Sequence, residues 1–292
     1  MQDSAFLDQL MADAWPPTVS EIIGRSRLRW ASGFTRRANS CLAVGEDDEI
    51  PAIVERAMEF YSMRQADPVF MVSTASAPPL MASHLHSLGF ESAARTLLQT
   101  ASSAAVAASC DGANAFVVES TGEVTDTWFE TYWAIDAIRE CDEAARTTCR
   151  DMLGRTKGAC YVSVLSSGRT IAVGQIVVEG QWAGVQCMAT LPSHRRQGGA
   201  AVALGHLADR ALEKGAASMY LAVMYDNHGA RPLYERSGFS TVHEYTYFTP
   251  TRPVAALGQS AEPGSFAGEN FGCHGGVHVG AAEDEGNALA GR

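Results

Sequence analysis

The sequence predicts an α/β chain with helices packed on both faces of a mixed sheet, and three observations carry that expectation. Tyr161 to Leu165, Thr170 to Glu179 and Trp182 to Thr190 are consecutive stretches of strand character, parted by turns at Ser166-Ser-Gly168 and Gly180-Gln181. Gly198 to Lys214 sets Val202, Leu204, Leu207, Ala208, Ala211 and Leu212 largely on one helical face. The order strand, helix, strand, helix, Gly-Phe, strand also occurs twice: Leu85-His-Ser-Leu-Gly89-Phe90 closes a helix as Tyr234-Glu-Arg-Ser-Gly238-Phe239 does. Apolar faces of both periods have to be buried against each other, which is what layered α/β architecture does.

Composition narrows the class. The 292 residues, 46% of them apolar, are enough for two modest domains. No run of about 18 apolar residues is present and the N-terminus starts acidic, so neither a membrane span nor a signal peptide is expected. Seven scattered cysteines with no C-x-x-C pair point to reduced thiols and a cytoplasmic location. A net charge of −11 argues against nucleic acid as main partner and favours a cationic or amine substrate.

Met1 to Ser109 reads as a first unit. Leu28 to Trp30 and Ser40 to Val44 are strands on either side of a turn containing Gly33; Ile50, Ile53, Val54, Ala57 and Tyr61 fall at helical spacing. Val69 to Ser73 is a short strand, Pro78 to Leu88 a helix ended by Gly89, and Glu91 to Thr100 a strand. Arg25, Arg27, Arg29, Arg36 and Arg37 form a basic cluster, expected as a solvated face or as contacts to the acidic run Glu46 to Glu49. Ala101 to Asn114 is small and polar and reads as a connector. A second unit, 114–249, then begins with a strand at Phe116 to Glu119 and helical periodicity over Trp128 to Leu153, as two helices meeting near Cys141. Ser218 to Val223 is a further strand. After Phe248 the pattern dissolves, and 250–292 is expected to be disordered. Cys273, His274 and His278 can be drawn as metal ligands, but without a fourth ligand no metal is expected.

Between the strand ending at Thr190 and the helix starting at Gly198 lies Leu191 to Ala200, LPSHRRQGGA. Adjacent glycines let the backbone approach a ligand, and the first turn of a helix directs unpaired N–H groups, with its dipole behind them, at an anion. Arg195 and Arg196 add guanidinium groups that fork onto phosphate oxygens. A Walker loop is excluded because no Gly-Lys-Ser/Thr follows, and the dinucleotide G-x-G-x-x-G is missing. Arg195-x-x-Gly198-x-Ala200, with Asn227, Ala230, Tyr234 and Gly238-Phe239 downstream, resembles the signature motifs of the GNAT acetyltransferase superfamily.

That resemblance implies a GNAT-type fold, in tandem, with a degenerate first copy, the alternative for 1–109 being an unrelated α+β cap: the first half has no R-x-x-G-x-G/A and carries Leu85 where the second has Tyr234. It implies acetyl-CoA as co-substrate and no metal. The diphosphate would sit on N–H groups of about Arg196 to Ala201, through Gln197, Gly198, Gly199 and Ala200, and the pantetheine arm alongside Met188, Ala189 and Thr190 where that strand splays from its neighbour. The thioester carbonyl would meet the N–H of Met188 or Ala189; Asn227 would touch the pantetheine region; Tyr234 would be the general acid for the departing thiolate. Some relatives carry a catalytic Glu near Gly184, but no carboxylate lies between Trp182 and Thr190. Glu179, Glu130, Asp136 or a water chain are the remaining choices for a base. Trp128, Tyr132 and Trp133 are candidate cleft walls and Trp182 a rim. The acceptor is expected to be a primary amine of a small molecule or peptide, and the first half adds either a wall or a homodimer surface. Two alternatives stay open: a catalytically lapsed acetyl-CoA sensor, and a transferase for a longer acyl-CoA.

Overall fold

In the computed structural model, which describes residues 4–110, 116–134 and 142–252, the chain runs as follows. Helix α1 (Ala5–Asp13) leads into strands β1 (Val19–Ile23), β2 (Ser26–Trp30) and β3 (Cys41–Leu42). Then come α2 (Ile50–Ser62), β4 (Phe70–Ser73), α3 (Met81–Ser87), β5 (Phe90–Ser102) and α4 (Ser103–Ser109). The second half brings β6 (Val117–Thr121), α5 (Asp126–Trp133), α6 (Glu143–Arg155), β7 (Ala159–Ser166), β8 (Arg169–Glu179) and β9 (Trp182–Thr190). It ends with α7 (Gly199–Glu213), β10 (Ser218–Met224), α8 (Arg231–Arg236) and β11 (Ser240–Pro250). The starts of α5 and α6 are written locally: the Thr125 and Asp142 side chains accept from the N–H groups of Trp128 and Ala145.

All these strands join one mixed sheet in the order β1-β2-β3-β4-β11-β5-β10-β9-β8-β7-β6. The last strand of each half is exchanged: β5 lies against β10, and β11 lies between β4 and β5. From the central antiparallel pair of β5 and β11 the ladder reads alike in both directions: one antiparallel pairing, one parallel pairing (β3 with β4, β9 with β10), then antiparallel pairings. The segments 1–109 and 114–249 therefore share one sheet, each supplying a strand the other needs.

Helices cover both faces, as the composition of the strands requires. On one face, Val202, Leu204 and Leu207 of α7 pack with Val162, Ile176, Val185 and Leu221. On the other, Trp128, Phe129, Met152 and Leu153 pack with Tyr161, Val173 and Ala189. Two expectations need correcting. Residues 103–109 are a helix rather than a connector; Val106 is buried, and α4 meets α7 so closely that a Cβ at Gly205 would lie 2.7 Å from the Cβ of Cys110. Small side chains that read as linker are what permits this approach. The arginine cluster is also not a uniform solvated face. Arg25 meets Glu46 at 3.1 Å, but Arg29 is fully buried, with its guanidinium on the carbonyl oxygen and Oγ of Ser40. Arg37 is buried too and donates to Gln186 Oε1 at 3.0 Å. Hydrogen bonds to neutral oxygens hold part of each head, leaving Arg29 Nη1 without a hydrogen-bond partner, while the stems add apolar area. Neither α1 nor β1 is among the elements the sequence predicts, since a nine-residue helix and an edge strand leave little periodic signal. Cys273, His274 and His278, Cys141 and most of 250–292 lie outside the described residues.

Burial sets the alkaline limit of this fold. Desolvation pushes the thiols of Cys41 and Cys187 up to about 12 and the phenols of Tyr61, Tyr234 and Tyr245 well above the usual tyrosine range. The unfolded chain releases these protons from about pH 8.5 (thiol) to about pH 10 (phenol), whereas the folded chain keeps them. The unfolded state then binds fewer protons, so stability is full below those values and falls as pH rises. Urea denaturation midpoints should hold steady near neutrality and decline from about pH 9 upward; a flat profile through about pH 11 would contradict this burial.

Candidate functional site

The site is built around a bulge in β9. Between Val173–Ala189 and Gln175–Gln186 the ladder advances two residues on β8 and three on β9, and Cys187 absorbs the extra residue at φ +51°. A bulge bends its strand and increases its twist. The consequence is visible on the other side of β9. Its parallel pairing with β10 ends at Val185 with Leu221, although β9 continues to Thr190 and β10 to Met224. The two strands part, leaving the 186–190 edge of β9 facing a gap. The side chain of Gln186 anchors the bend to the first half, accepting from Arg37 and donating to the Ala14 carbonyl at 3.1 Å.

At the open end of that gap the chain makes one 3-10 turn, Pro192–His194, and enters α7. The two glycines do different things. Gly198 sits at φ +92° with open space where its Cβ would be, so the left-handed conformation is its requirement. Gly199 would place a Cβ 3.4 Å from that of Ala172, so close packing on β8 is its requirement. Val202 is the first residue of α7 whose N–H bonds back, to the Gly198 carbonyl at 3.0 Å. The N–H groups of Gly199, Ala200 and Ala201 precede that bond and point out of the helix end.

These groups border a cavity of about 890 Å³. Of the residues expected to hold the co-substrate, Thr190, Arg195, Arg196, Gly198, Gly199, Ala200 and Ala201 line it. Met188 and Ala189 lie next to it on β9, buried, with side chains in the cores of opposite faces. Gln197 turns aside and donates to the Ser193 carbonyl at 3.2 Å. Asn227 acts locally: its Oδ1 accepts from the N–H of Ala230 at 3.1 Å and its carbonyl from Arg231, which starts α8. The sequence reading misses His194, His228, Leu233 and Arg236, which also line the cavity. The signal was the spacing of Leu233 and Arg236, three apart on one side of α8, with Tyr234 on the other.

Tyr234 is fully buried in the α7-side core, edge-on to Phe239 at 5.8 Å. Its register comes from the helix end. Gly238 takes φ +88° and the Phe239 N–H returns to the Tyr234 carbonyl at 3.0 Å, the left-handed stop that a Gly-Phe pair permits. The Tyr234 hydroxyl has no hydrogen-bond partner, and burial holds its proton well above the ordinary range. An unpaired buried hydroxyl costs on the order of 1–3 kcal/mol, so such a group marks a place where a partner is expected.

Ahead of α2 the first half makes a 3-10 turn, Asp47–Glu49, closed by a reciprocal capping box: Glu49 Oε2 accepts from the Glu46 N–H at 2.7 Å and the Glu46 side chain accepts from the Glu49 N–H. At the start of α2 itself the Glu49 side chain makes no cap hydrogen bond. Leu85, four residues before Gly89 as Tyr234 is before Gly238, is buried.

The carboxylates considered as a base do not converge here. Glu179 pairs with Trp182 at the far end of β9, eight residues or roughly 26 Å along the strand from Thr190. Glu130 is exposed and ion-paired with Arg146, and Asp136 lies outside the described residues. Gly184 has no room for a side chain: its Cβ would meet the Tyr220 hydroxyl and ring at 2.5 Å. Gly184→Ala should therefore cost about 1–3 kcal/mol in chemical denaturation through overpacking; an unchanged midpoint would show that Tyr220 moves freely. The aromatic wall is a core as well. Trp128 is 1% exposed and donates Nε1 to the carbonyls of Val162 and Gly174. Tyr132 and Trp133 share a cluster with Trp15 and Phe34, and Trp182 packs on Phe6 at the remote end of β9. Among the described residues there is no His, Cys, Asp and Glu grouping able to hold a metal, and no helix is long and apolar enough to cross a membrane.

Comparison with known proteins agrees with this geometry. Residues 125–239 match the family described as Acetyltransferase (GNAT) family. An uncharacterized N-acetyltransferase of Bacillus subtilis (strain 168), YobR, is 23% identical over 247 residues, 85% of this chain and 98% of that protein. A GCN5-related N-acetyltransferase from Kribbella flavida superposes with a TM-score of 0.68 at 17% identity, over 88% of this chain and 99% of the other. A tandem GNAT protein from the clavulanic acid biosynthesis pathway superposes with a TM-score of 0.58 at 14% identity, over 83% and 86%. At those identities the structures show a shared fold.

Proposed function

Because residues 125–239 match the GNAT acetyltransferase family, we propose that this chain is an N-acetyltransferase that uses acetyl-CoA to acetylate a primary amine of a small molecule or peptide. The observation that supports it most is one juxtaposition: a cavity at the start of α7, lined by outward N–H groups and arginines, opens beside the parted edge of β9. The residues present fit the co-substrate. The N–H groups from Arg196 to Ala201 and the guanidinium groups of Arg195 and Arg196 suit a diphosphate. The parted edge of β9 suits the two amides of a pantetheine arm, which would add to it as a strand does. The Tyr234 hydroxyl lacks the partner a sulfur would provide.

Bound there, acetyl-CoA supplies an acetyl group activated as a thioester. Strand N–H groups point alternately to either side, so one of those at Met188 and Ala189 faces the gap and donates to the carbonyl oxygen as negative charge grows on it. Tyr234 holds a proton at its Oη through the neutral range and delivers it to the departing sulfur. With no described carboxylate facing the cavity, the amine's proton leaves through water. Asn227 serves by fixing the start of α8, and so the height of Tyr234.

In this reading the first half is a degenerate copy of the fold, with no R-x-x-G-x-G/A loop and with Leu85 in place of a tyrosine, and serves by completing the sheet and buttressing Gln186. Free thiols among the described residues and the acidic balance fit a cytoplasmic enzyme without nucleic-acid partners, and a homodimer is compatible with it. The second reading, a lapsed acetyl-CoA sensor, is favoured by one observation, the Tyr220 ring filling the space over Gly184. Calorimetric titration of acetyl-CoA, followed by thiol release with a panel of amines, separates the two: binding with turnover supports the enzyme, binding without turnover the sensor, and no binding rejects both. Propionyl- and succinyl-CoA in the same assay test the acyl group.

A further inference from the structure

We propose that the α8 wall of the cavity, through Arg236 and His228, is a subsite for the ribose 3′-phosphate of coenzyme A, so that the chain selects CoA over its 3′-dephospho form. This rests on the acetyl-CoA reading above. The cavity lining carries three arginines, Arg195, Arg196 and Arg236, with His194 and His228 beside them and no carboxylate, in a chain of net charge −11. A cleft of one sign in an acidic protein focuses attraction for anions.

The basic groups come from two segments of the chain. His194, Arg195 and Arg196 stand with the helix N–H groups on the loop that a diphosphate would occupy. His228 and Arg236 come from the segment of α8, with Gly229 and Leu233, which line the same cavity, between them in sequence. A volume of about 890 Å³ is that of a whole ligand rather than of a diphosphate alone, so the α8 residues face ligand too. Coenzyme A has one further anionic group, a phosphomonoester with about −1.5 to −2 charge at neutral pH, for which a guanidinium fork is a fitting partner. The contrast within α8 is informative. Arg231 is engaged, with Glu235 at 3.7 Å and the Tyr225 carbonyl at 2.9 Å. Arg236 makes no ion pair among the described residues, and it lies on the side of α8 that carries Leu233 into the cavity. A cation kept out of local ion pairs and turned to a basic cleft is placed for an anion brought by a ligand.

The test is calorimetric titration of CoA and of 3′-dephospho-CoA into the full chain and into Arg236→Gln, with Arg236→Lys as the charge-retaining control. The unmodified chain should bind CoA about tenfold more tightly than the dephospho form, in keeping with one partly solvated charge-assisted contact. In Arg236→Gln that ratio should fall to near one, and in Arg236→Lys it should be partly kept. Because Arg236 is exposed and outside the core, the substitution leaves folding intact, and circular dichroism checks this. Equal binding of both ligands by the unmodified chain, or an undiminished ratio in Arg236→Gln, would overturn the subsite while leaving the acetyl-CoA reading in place. Binding of neither ligand would overturn that reading itself.

Discussion

Gly198→Glu is expected to abolish acetyl-CoA binding, raising the dissociation constant beyond calorimetric range while the chain still folds. Two effects combine at this residue. Its φ of +92° is a left-handed conformation that a side chain adopts at a cost of about 1–2 kcal/mol. That alone would lower stability modestly. The larger effect follows from the open space around the position: with nothing within 4 Å of its Cβ, the new carboxylate projects into the cavity rather than into protein. It would then occupy the helix start as an internal anion. Gly198→Ala separates the contributions, since it carries the strain without the charge and should retain weakened binding. If Gly198→Glu binds acetyl-CoA like the parent, the phosphate site lies elsewhere.

Tyr234→Phe should leave acetyl-CoA binding nearly intact and lower kcat by about 10²-fold or more, the usual loss when a positioned acid is removed. Here stability and activity are expected to move in opposite directions. The hydroxyl is buried without a partner, so deleting it removes a desolvation cost, and the variant should be as stable as the parent or more so. A purely structural tyrosine would show the reverse, with lost stability and unchanged turnover. The pH profile adds a second readout. Burial holds the Tyr234 proton well above the ordinary range, so the phenol stays protonated through neutral and mildly alkaline pH. Loss of kcat on the alkaline side below about pH 9 would then belong to another group and should persist in Tyr234→Phe. If turnover and binding both match the parent, Tyr234 is not the acid.

Much of this protein was legible in its sequence because the signals were local. Alternation in 161–190, the helical face of 199–213 and the Gly-Gly and Gly-Phe stops each depend on a residue's own backbone geometry and near neighbours. From these came the meander, the glycine-containing loop before α7 and the position of Tyr234, and the echo of Leu85 to Phe90 in Tyr234 to Phe239 pointed to a repeat. Whatever depends on residues far apart in the chain could not be read in this way. The exchange of β5 and β11 joins residues some 150 positions apart, such as Thr96 and Tyr245, and strand periodicity is blind to which strand lies alongside. The bulge at Cys187 shows no glycine or proline to announce it, because the bend is held from outside by Arg37 and Ala14. Aromatic residues at helical spacing fit a cleft or a core equally well, and only packing decided that Trp128 belongs to the core. The contribution of α8 to the cavity was hidden for the same reason. Arg236 is one surface arginine in the sequence, and becomes a candidate ligand group only when the fold brings α8 to the same cavity as the start of α7.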